Sequence, residues 1–441
     1  MGGENQAKAP SGVRTVLRYT GIPPSWLDYR PKLPSRNWLI FWTVTSTVTG
    51  YYVYDRRECN RIRQAYVDRV SHLAERPLGI LEPPRKVRVY GCKWPGDEDP
   101  NQTVRYFKRY IKPLLVAAGV DYDLVNGNKH GELAQKIADE VRARRRLEAG
   151  LDSPPLHSLA TPTYTPQEVL DKRAVQDGAI ILGRPAFKEF MLGIARGWTE
   201  GLQPVDRDEA LANAIADDGH FDEPEEGAPH SPKPVTHFTP PPITPAPGTD
   251  VAPPPTIAPL PPLLLVSFVD YVGFSQIPYM LWDWFNQRRR VQAGAEAAYR
   301  LIMHQTRPFR ETGAGEAPSD LAFDKDKEAF IRSSCAEIPA ETEKAREKYY
   351  AELPARLQVA RELARGTREP TKEEEARPPP TEVELRQERM NKEKVWRNRV
   401  EGWEIIKPAQ KVFFDERLRG MLSVYVDPEE TVESETKTHN A

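Results

Sequence analysis

The sequence predicts an α/β fold, a parallel-sheet core with helices packed on it, carried by one N-terminal transmembrane helix. Three observations predict it. Short β-rich runs alternate with helix-length amphipathic segments between residues 86 and 194, the succession expected of parallel strands joined by crossover helices. The stretch Trp38 to Tyr54 (WLIFWTVTSTVTGYYVY) is charge-free over about 17 positions, the lower limit for a spanning helix. The 43 prolines in 441 residues are about twice the usual share of roughly 5 %. They are clustered, so part of the chain cannot join a core.

Residues 1–36 contain no apolar run of the kind that opens a secretory signal. Arg14 and Arg18 flank Val16 and Leu17, and Glu4 is the one acid before Asp28, a pattern compatible with mitochondrial targeting. The span is assigned to residues 37–55. Trp38 and Trp42 at one end, and Tyr51, Tyr52 and Tyr54 at the other, suit the two headgroup levels. Thr43, Thr45, Ser46, Thr47, Thr49 and Gly50 are the small and hydroxylated residues that let a second helix approach in lipid. Charge leaves the orientation open. Arg14, Arg18, Arg30, Lys32 and Arg36 precede the span, and Arg56, Arg57, Arg61 and Arg63 follow it.

An α/β domain is expected over 56–216. It begins with a helix, Cys59 to Glu75, whose Ile62, Tyr66, Val70 and Leu73 recur at helical spacing. Strands are predicted at Lys86 to Tyr90, Asp121 to Val125 and Ala179 to Leu182. Helices fall at Val104 to Ala118, Glu132 to Arg145 and around Phe187 to Ile194, with Gly183 opening a turn before the last. A Pro-, Ser- and Thr-rich insertion occupies Leu151 to Pro166, and a longer Pro-rich insertion, 217–262, is expected to be disordered because it has too little to bury. A second α+β and helical region follows over 263–426, with a strand at Leu263 to Val272 and a helix at Pro278 to Arg290. Charged surface helices are predicted at Ala340 to Arg365 and Pro380 to Lys394, with Trp396 and Trp403 on one helical face. The tail, 427–441, is acidic.

Several function classes are disfavoured by composition. The formal net charge is −2, without the basic field of a nucleic-acid binder. Cys59, Cys92 and Cys335 are far apart and form neither a disulfide framework nor a zinc motif. The eight histidines, among them His72, His130, His220 and His304, are scattered with no metal-ligand spacing. No GxGxxG follows a strand and no P-loop is present, while Glu373, Glu374 and Glu375 read as a solvated turn. No residue is therefore nominated as catalytic, cofactor-binding or metal-ligating, and no cofactor is expected.

Two segments carry a resemblance. Arg30 to Trp42 reads RPKLPSRNWLIFW, and Ala360 to Glu404 reads ARELARGTREPTKEEEARPPPTEVELRQERMNKEKVWRNRVEGWE. Together with Lys86 to Gly91 and Gly273 to Arg290 (GFSQIPYMLWDWFNQRRR), they resemble the fungal mitochondrial import inner membrane translocase subunit fifty-four family. The resemblance implies a single-pass protein of the mitochondrial inner membrane, with a short matrix segment and its bulk in the intermembrane space. It implies a non-catalytic scaffold in the translocase that inserts multi-spanning carriers. The implied partners are the pore-forming and accessory subunits, small intermembrane-space chaperones and an inner-membrane AAA protease.

The α/β block also resembles the catalytic domain of diacylglycerol and sphingosine kinases, the alternative reading being a lipid- or nucleotide-binding enzyme of that type. In those kinases the third strand runs into a GGDGT turn whose amides meet nucleotide phosphates. The matching turn here is Gly183-Arg184-Pro185-Ala186-Phe187. It keeps the first glycine, loses an amide donor at Pro185 and has no acid. The resemblance implies a degenerate platform, with Arg184 left as an anion attractor.

Overall fold

The computed structural model describes residues 35–77, 85–152, 177–202, 206–216, 218–222, 260–312, 318–371, 374–375 and 378–427. The N-terminal segment, most of both insertions and the acidic tail lie outside the described residues. The chain divides into two units, residues 1–57 and 58–441.

In the first unit the described residues are essentially one helix, the start of α1 (Arg36–Ala74). Its apolar side chains, among them Leu39, Ile40, Phe41, Val44 and Val48, are exposed. The segment expected to span, 37–55, is helical throughout. No helix among the described residues is long and apolar enough to cross a membrane. The cause is composition: hydroxyls, Gly50 and polar-tipped aromatics fill most positions that Leu or Ile would hold in a free-standing span. Nor does the helix stop at Tyr54, because Asp55, Arg56 and Arg57 are ordinary helical residues and the apolar spacing resumes at Cys59.

In the second unit, six strands form one sheet in the order β2-β1-β3-β4-β6-β5. These are β1 (Lys86–Cys92), β2 (Asp121–Gly127), β3 (Ala179–Leu182), β4 (Leu263–Val266), β5 (Thr306–Pro308) and β6 (Ser423–Tyr425). Every pairing is parallel except β5 with β6. Strands from both sides of the Pro-rich insertion thus share one sheet. Alternation along each strand sorts side chains onto two faces. Val87, Val89, Ile180, Leu182, Leu264 and Val266 enter one core. Tyr90, Cys92, Ala179, Ile181 and Leu263 enter the other.

Each face has its own helices. Over the first lie α2 (Gln102–Tyr106), a π-helical turn at Phe107–Ile111, α3 (Lys112–Ala117) and α8 (Gln287–Met303), contributing Phe107, Ile111, Leu115, Ala298 and Leu301. The last turns of α1 join them through Cys59 and Val70, with Ile62, Tyr66 and Leu73 alongside. The opposite face carries α4 (Glu132–Glu148) and α5 (Gly183–Thr199), through Leu133, Ile137, Phe187, Phe190 and Met191. Helices on both faces explain why the central strands β3 (AIIL) and β4 (LLLV) read as continuous apolar runs.

Four further expectations change. The strand predicted over Leu263 to Val272 stops at Val266, where the chain turns away. The helix predicted over Pro278 to Arg290 is two, α7 (Ile277–Phe285) and α8, parted at Asn286, whose Nδ2 donates to the Trp282 carbonyl at 2.9 Å. The charged helices α9 (Ile338–Arg365) and α10 (Glu382–Ile406) are not purely surface helices. Arg389, Glu393, Arg397 and Glu401 form an inward row at every fourth position and are buried. Each meets an opposite charge: Asp218, Arg346, Asp208 and Arg207 respectively. Trp403 is buried beside Cys335 and Ile338, while Trp396 meets the Tyr349 ring edge-on at 5.8 Å. Finally, residues 218–222 at the head of the predicted disordered insertion are docked, Phe221 packing on Leu357, Ala360 and Leu385.

Candidate functional site

Doubly wound sheets take ligands outside the strand C-termini where the strand order reverses. Here that point lies between β1 and β3. It is filled by the chain's own aromatics. Phe268, just past β4, meets Trp94 and Tyr106 edge-on at 5.9 and 5.3 Å, and all three rings are buried. A Cβ at Gly183, which follows β3 and opens α5 at φ +75°, would meet the Phe268 Cβ and carbonyl oxygen at 3.2 Å. No open cradle for phosphates remains at that glycine.

The segment compared with a phosphate turn is the first turn of α5, and its cations face inward. Arg184 Nε donates to Glu328 Oε1 at 2.7 Å, and Nη1 donates to the Leu321 and Phe323 carbonyls at 2.9 and 2.7 Å. Lys188 pairs with the same Glu328 and donates to the Lys407 carbonyl at 2.8 Å. All three charges are buried. Burial pulls the Lys188 ammonium below its usual range, opposed by Glu328. Arg184 is therefore not the anion attractor expected from the sequence. It latches α5 onto the loop that precedes α9.

One turn on, Glu189 is wholly buried between α5 and the start of α4. Its carboxyl accepts the backbone N–H groups of Gly131 and Leu133 at 2.9 and 3.0 Å and, more weakly, of Ala134 at 3.4 Å. These are the donors that a helix N-terminus leaves without internal partners. Burial outweighs the three hydrogen bonds and pushes the carboxyl up to about 7. Beside it, burial and then Lys93 lower His130 to about 4, so that ring is neutral. Asp270 sits next to Asp97, and burial followed by that neighbour raises it to about 7. Sequence reading found none of these pairings, because each joins residues far apart in the chain.

A polar cleft of about 750 Å³ opens between α4, α6 (Arg207–Ala216) and α10. Charges of both signs line it and largely satisfy one another. Arg207 grips both oxygens of Glu401 at 2.8 and 2.7 Å, and Arg146 grips those of Asp152 at 2.7 and 2.8 Å. Cys59, Cys92 and Cys335 are buried thiols, and burial pushes Cys92 well above its usual range. Among the described residues no three His, Cys, Asp or Glu side chains converge as a metal site.

The exposed apolar surface is more distinctive. No residue of α7 (IPYMLWDWF) is buried. Ile277, Met280, Leu281 and Trp284 share one helical face and are 40 to 54 % exposed, and Phe274, just upstream, is 92 % exposed. Tyr279 is tied to the body by stacking on Tyr271 at 5.7 Å and meeting Phe330 edge-on at 5.3 Å.

A family model described as inner membrane protein import complex subunit Tim54 matches residues 14–228. The mitochondrial import inner membrane translocase subunit TIM54 of Cryptococcus neoformans is 35 % identical to this chain, covering 95 % of each. The subunit of the same name from Aspergillus oryzae is 31 % identical over 67 % of this chain and 70 % of its own. That of Yarrowia lipolytica is 31 % identical over 40 % and 43 %. The 35 % identity over 95 % of both chains places this chain in the Tim54 family of subunits of the mitochondrial inner-membrane protein import translocase.

Proposed function

We propose that this chain is the platform on which the carrier translocase is assembled at the intermembrane-space side of the inner membrane. The observation that carries this reading is the 35 % identity over 95 % of the chain to a translocase subunit. In this reading the N-terminal half of α1 crosses the bilayer against a neighbouring helix. Thr43 and Thr47 donate to the Leu39 and Thr43 carbonyls at 2.7 and 2.8 Å, so part of their polar cost is met within the helix. Thr45, Ser46, Thr49 and Gly50 line a shallow groove of about 570 Å³, the kind of surface that admits another helix closely. Residues 1–36 then face the matrix. The sheet unit, with its charged helices, docks the pore-forming and accessory subunits, small chaperones and an AAA protease.

Native purification from mitochondria is the test. Co-purification with the other translocase subunits is expected, and recovery of a free monomer overturns the platform reading. Protease added after rupture of the outer membrane alone should digest the sheet unit. Digestion that needs an opened inner membrane reverses the topology. The lipid-kinase alternative gains nothing from the filled crevice, and the purified chain should not bind ATP with magnesium at micromolar concentrations.

A further inference from the structure

We propose that α7 lies in the interfacial layer of an anionic bilayer and forms a second membrane contact, separate from α1. Nine residues at 1.5 Å each give roughly 13 Å, far too short to cross a membrane yet long enough to lie along its surface. The exposed face of Ile277, Met280 and Leu281, extended upstream by Phe274, is the apolar side that such a helix buries among acyl chains. Tyr279 and Trp282, about half exposed, are the amphipathic rings that settle at headgroup level.

Charge selects the occupant. The chain as a whole has a formal net charge of −2, whereas residues 274–290 hold three arginines against one aspartate, a net of +2. Asp283 is taken by Arg290. Arg289 is exposed and lies over the Trp282 ring at 5.8 Å, which places its guanidinium beside the ring expected at the headgroups. An apolar face bordered by cations and interfacial aromatics matches an anionic lipid surface. A protein groove would need no such basic border.

The test uses the full chain in proteoliposomes, with a fluorescent label at Leu281→Cys and a control label at Val383→Cys, also exposed on α10. The three native cysteines are buried, so labelling of the folded chain is selective. A headgroup-level doxyl lipid should quench the Leu281 label and leave the Val383 label unchanged, with stronger quenching in vesicles containing cardiolipin than in phosphatidylcholine alone. Arg289→Gln should lower the insertion equilibrium about fivefold, from about 1 kcal/mol per cation at an anionic surface. Equal quenching at both labels, or an emission that ignores lipid composition, overturns the proposal. So does shielding that arises only in native membranes and without doxyl quenching, which assigns the face to another subunit. Failure of the whole chain to float with vesicles overturns both membrane contacts, whereas flotation without quenching at Leu281 overturns this one alone.

Discussion

Glu189 offers a quantitative test of how the two halves of the α/β layer are joined. Glu189→Ala strips a buried acceptor from two well-formed backbone donors, Gly131 and Leu133, and from the weaker Ala134. An orphaned buried donor costs about 1–3 kcal/mol, so the alanine variant should lose about 3–5 kcal/mol at pH 5. Glu189→Gln keeps one acceptor and should lose about 1–2 kcal/mol there. The pH dependence separates a carboxyl from a mere cap. The folded-state value is raised from 4.5 to about 7, so the folded chain holds this proton more tightly than the unfolded one. Its stabilisation is complete below 4.5 and is lost as pH rises to about 7. At about 1.4 kcal/mol per pH unit the loss reaches about 3 kcal/mol. Glutamine does not titrate, so the variant's deficit should shrink with rising pH and reverse by pH 8. Denaturant unfolding of the full chain in detergent, followed by tryptophan fluorescence at both pH values, reads the difference directly. A glutamine deficit that is constant from pH 5 to 8, or an alanine variant as stable as the parent, refutes the reasoning.

Glu328→Gln should destabilise by about 3–5 kcal/mol, because it strands two buried cations, Arg184 and Lys188. Replacing all three together with apolar residues of similar size should cost much less in the same unfolding measurement. Gly402→Ala sets a methyl 2.3 Å from the His130 carbonyl oxygen, so α10 must lift from the start of α4. A loss of about 1–3 kcal/mol and faster trypsin cleavage within α10 are expected, and unchanged cleavage counts against the contact. Cys92, buried with its thiol well above the usual range, should resist iodoacetamide in the folded chain and react only on unfolding, as mass spectrometry of the alkylated peptides will show.

The local sequence by itself determined β1, β2 and β3 and the helices that follow them, but not α6, β5 or β6. Val87 and Val89 against Tyr90 and Cys92, or the fourfold recurrence of Leu133, Ile137 and Val141, are periodicities that short-range geometry imposes. Ala179 to Leu182 is legible to the residue because a run buried on both faces admits little but apolar side chains. The lack of a P-loop and of a GxGxxG after any strand likewise disfavours a nucleotide site on the residues alone. Tertiary structure alone decided where charges go. The segment Pro380 to Lys394 reads as a charged surface helix, yet Arg389 and Glu393 within it, and Arg397 and Glu401 beyond it, are buried. Their burial depends on Asp218, Arg346, Asp208 and Arg207, and the pairs with Asp218, Asp208 and Arg207 each join residues more than 170 positions apart. The same holds for Arg184, a plausible anion site until Glu328 arrives from 144 residues downstream, and for Phe268, which fills the crevice from the end of a neighbouring strand. Periodicity is a property of neighbours along the chain and can be read there. The partner of a buried charge is chosen by a fold that joins distant segments, and no local pattern records it.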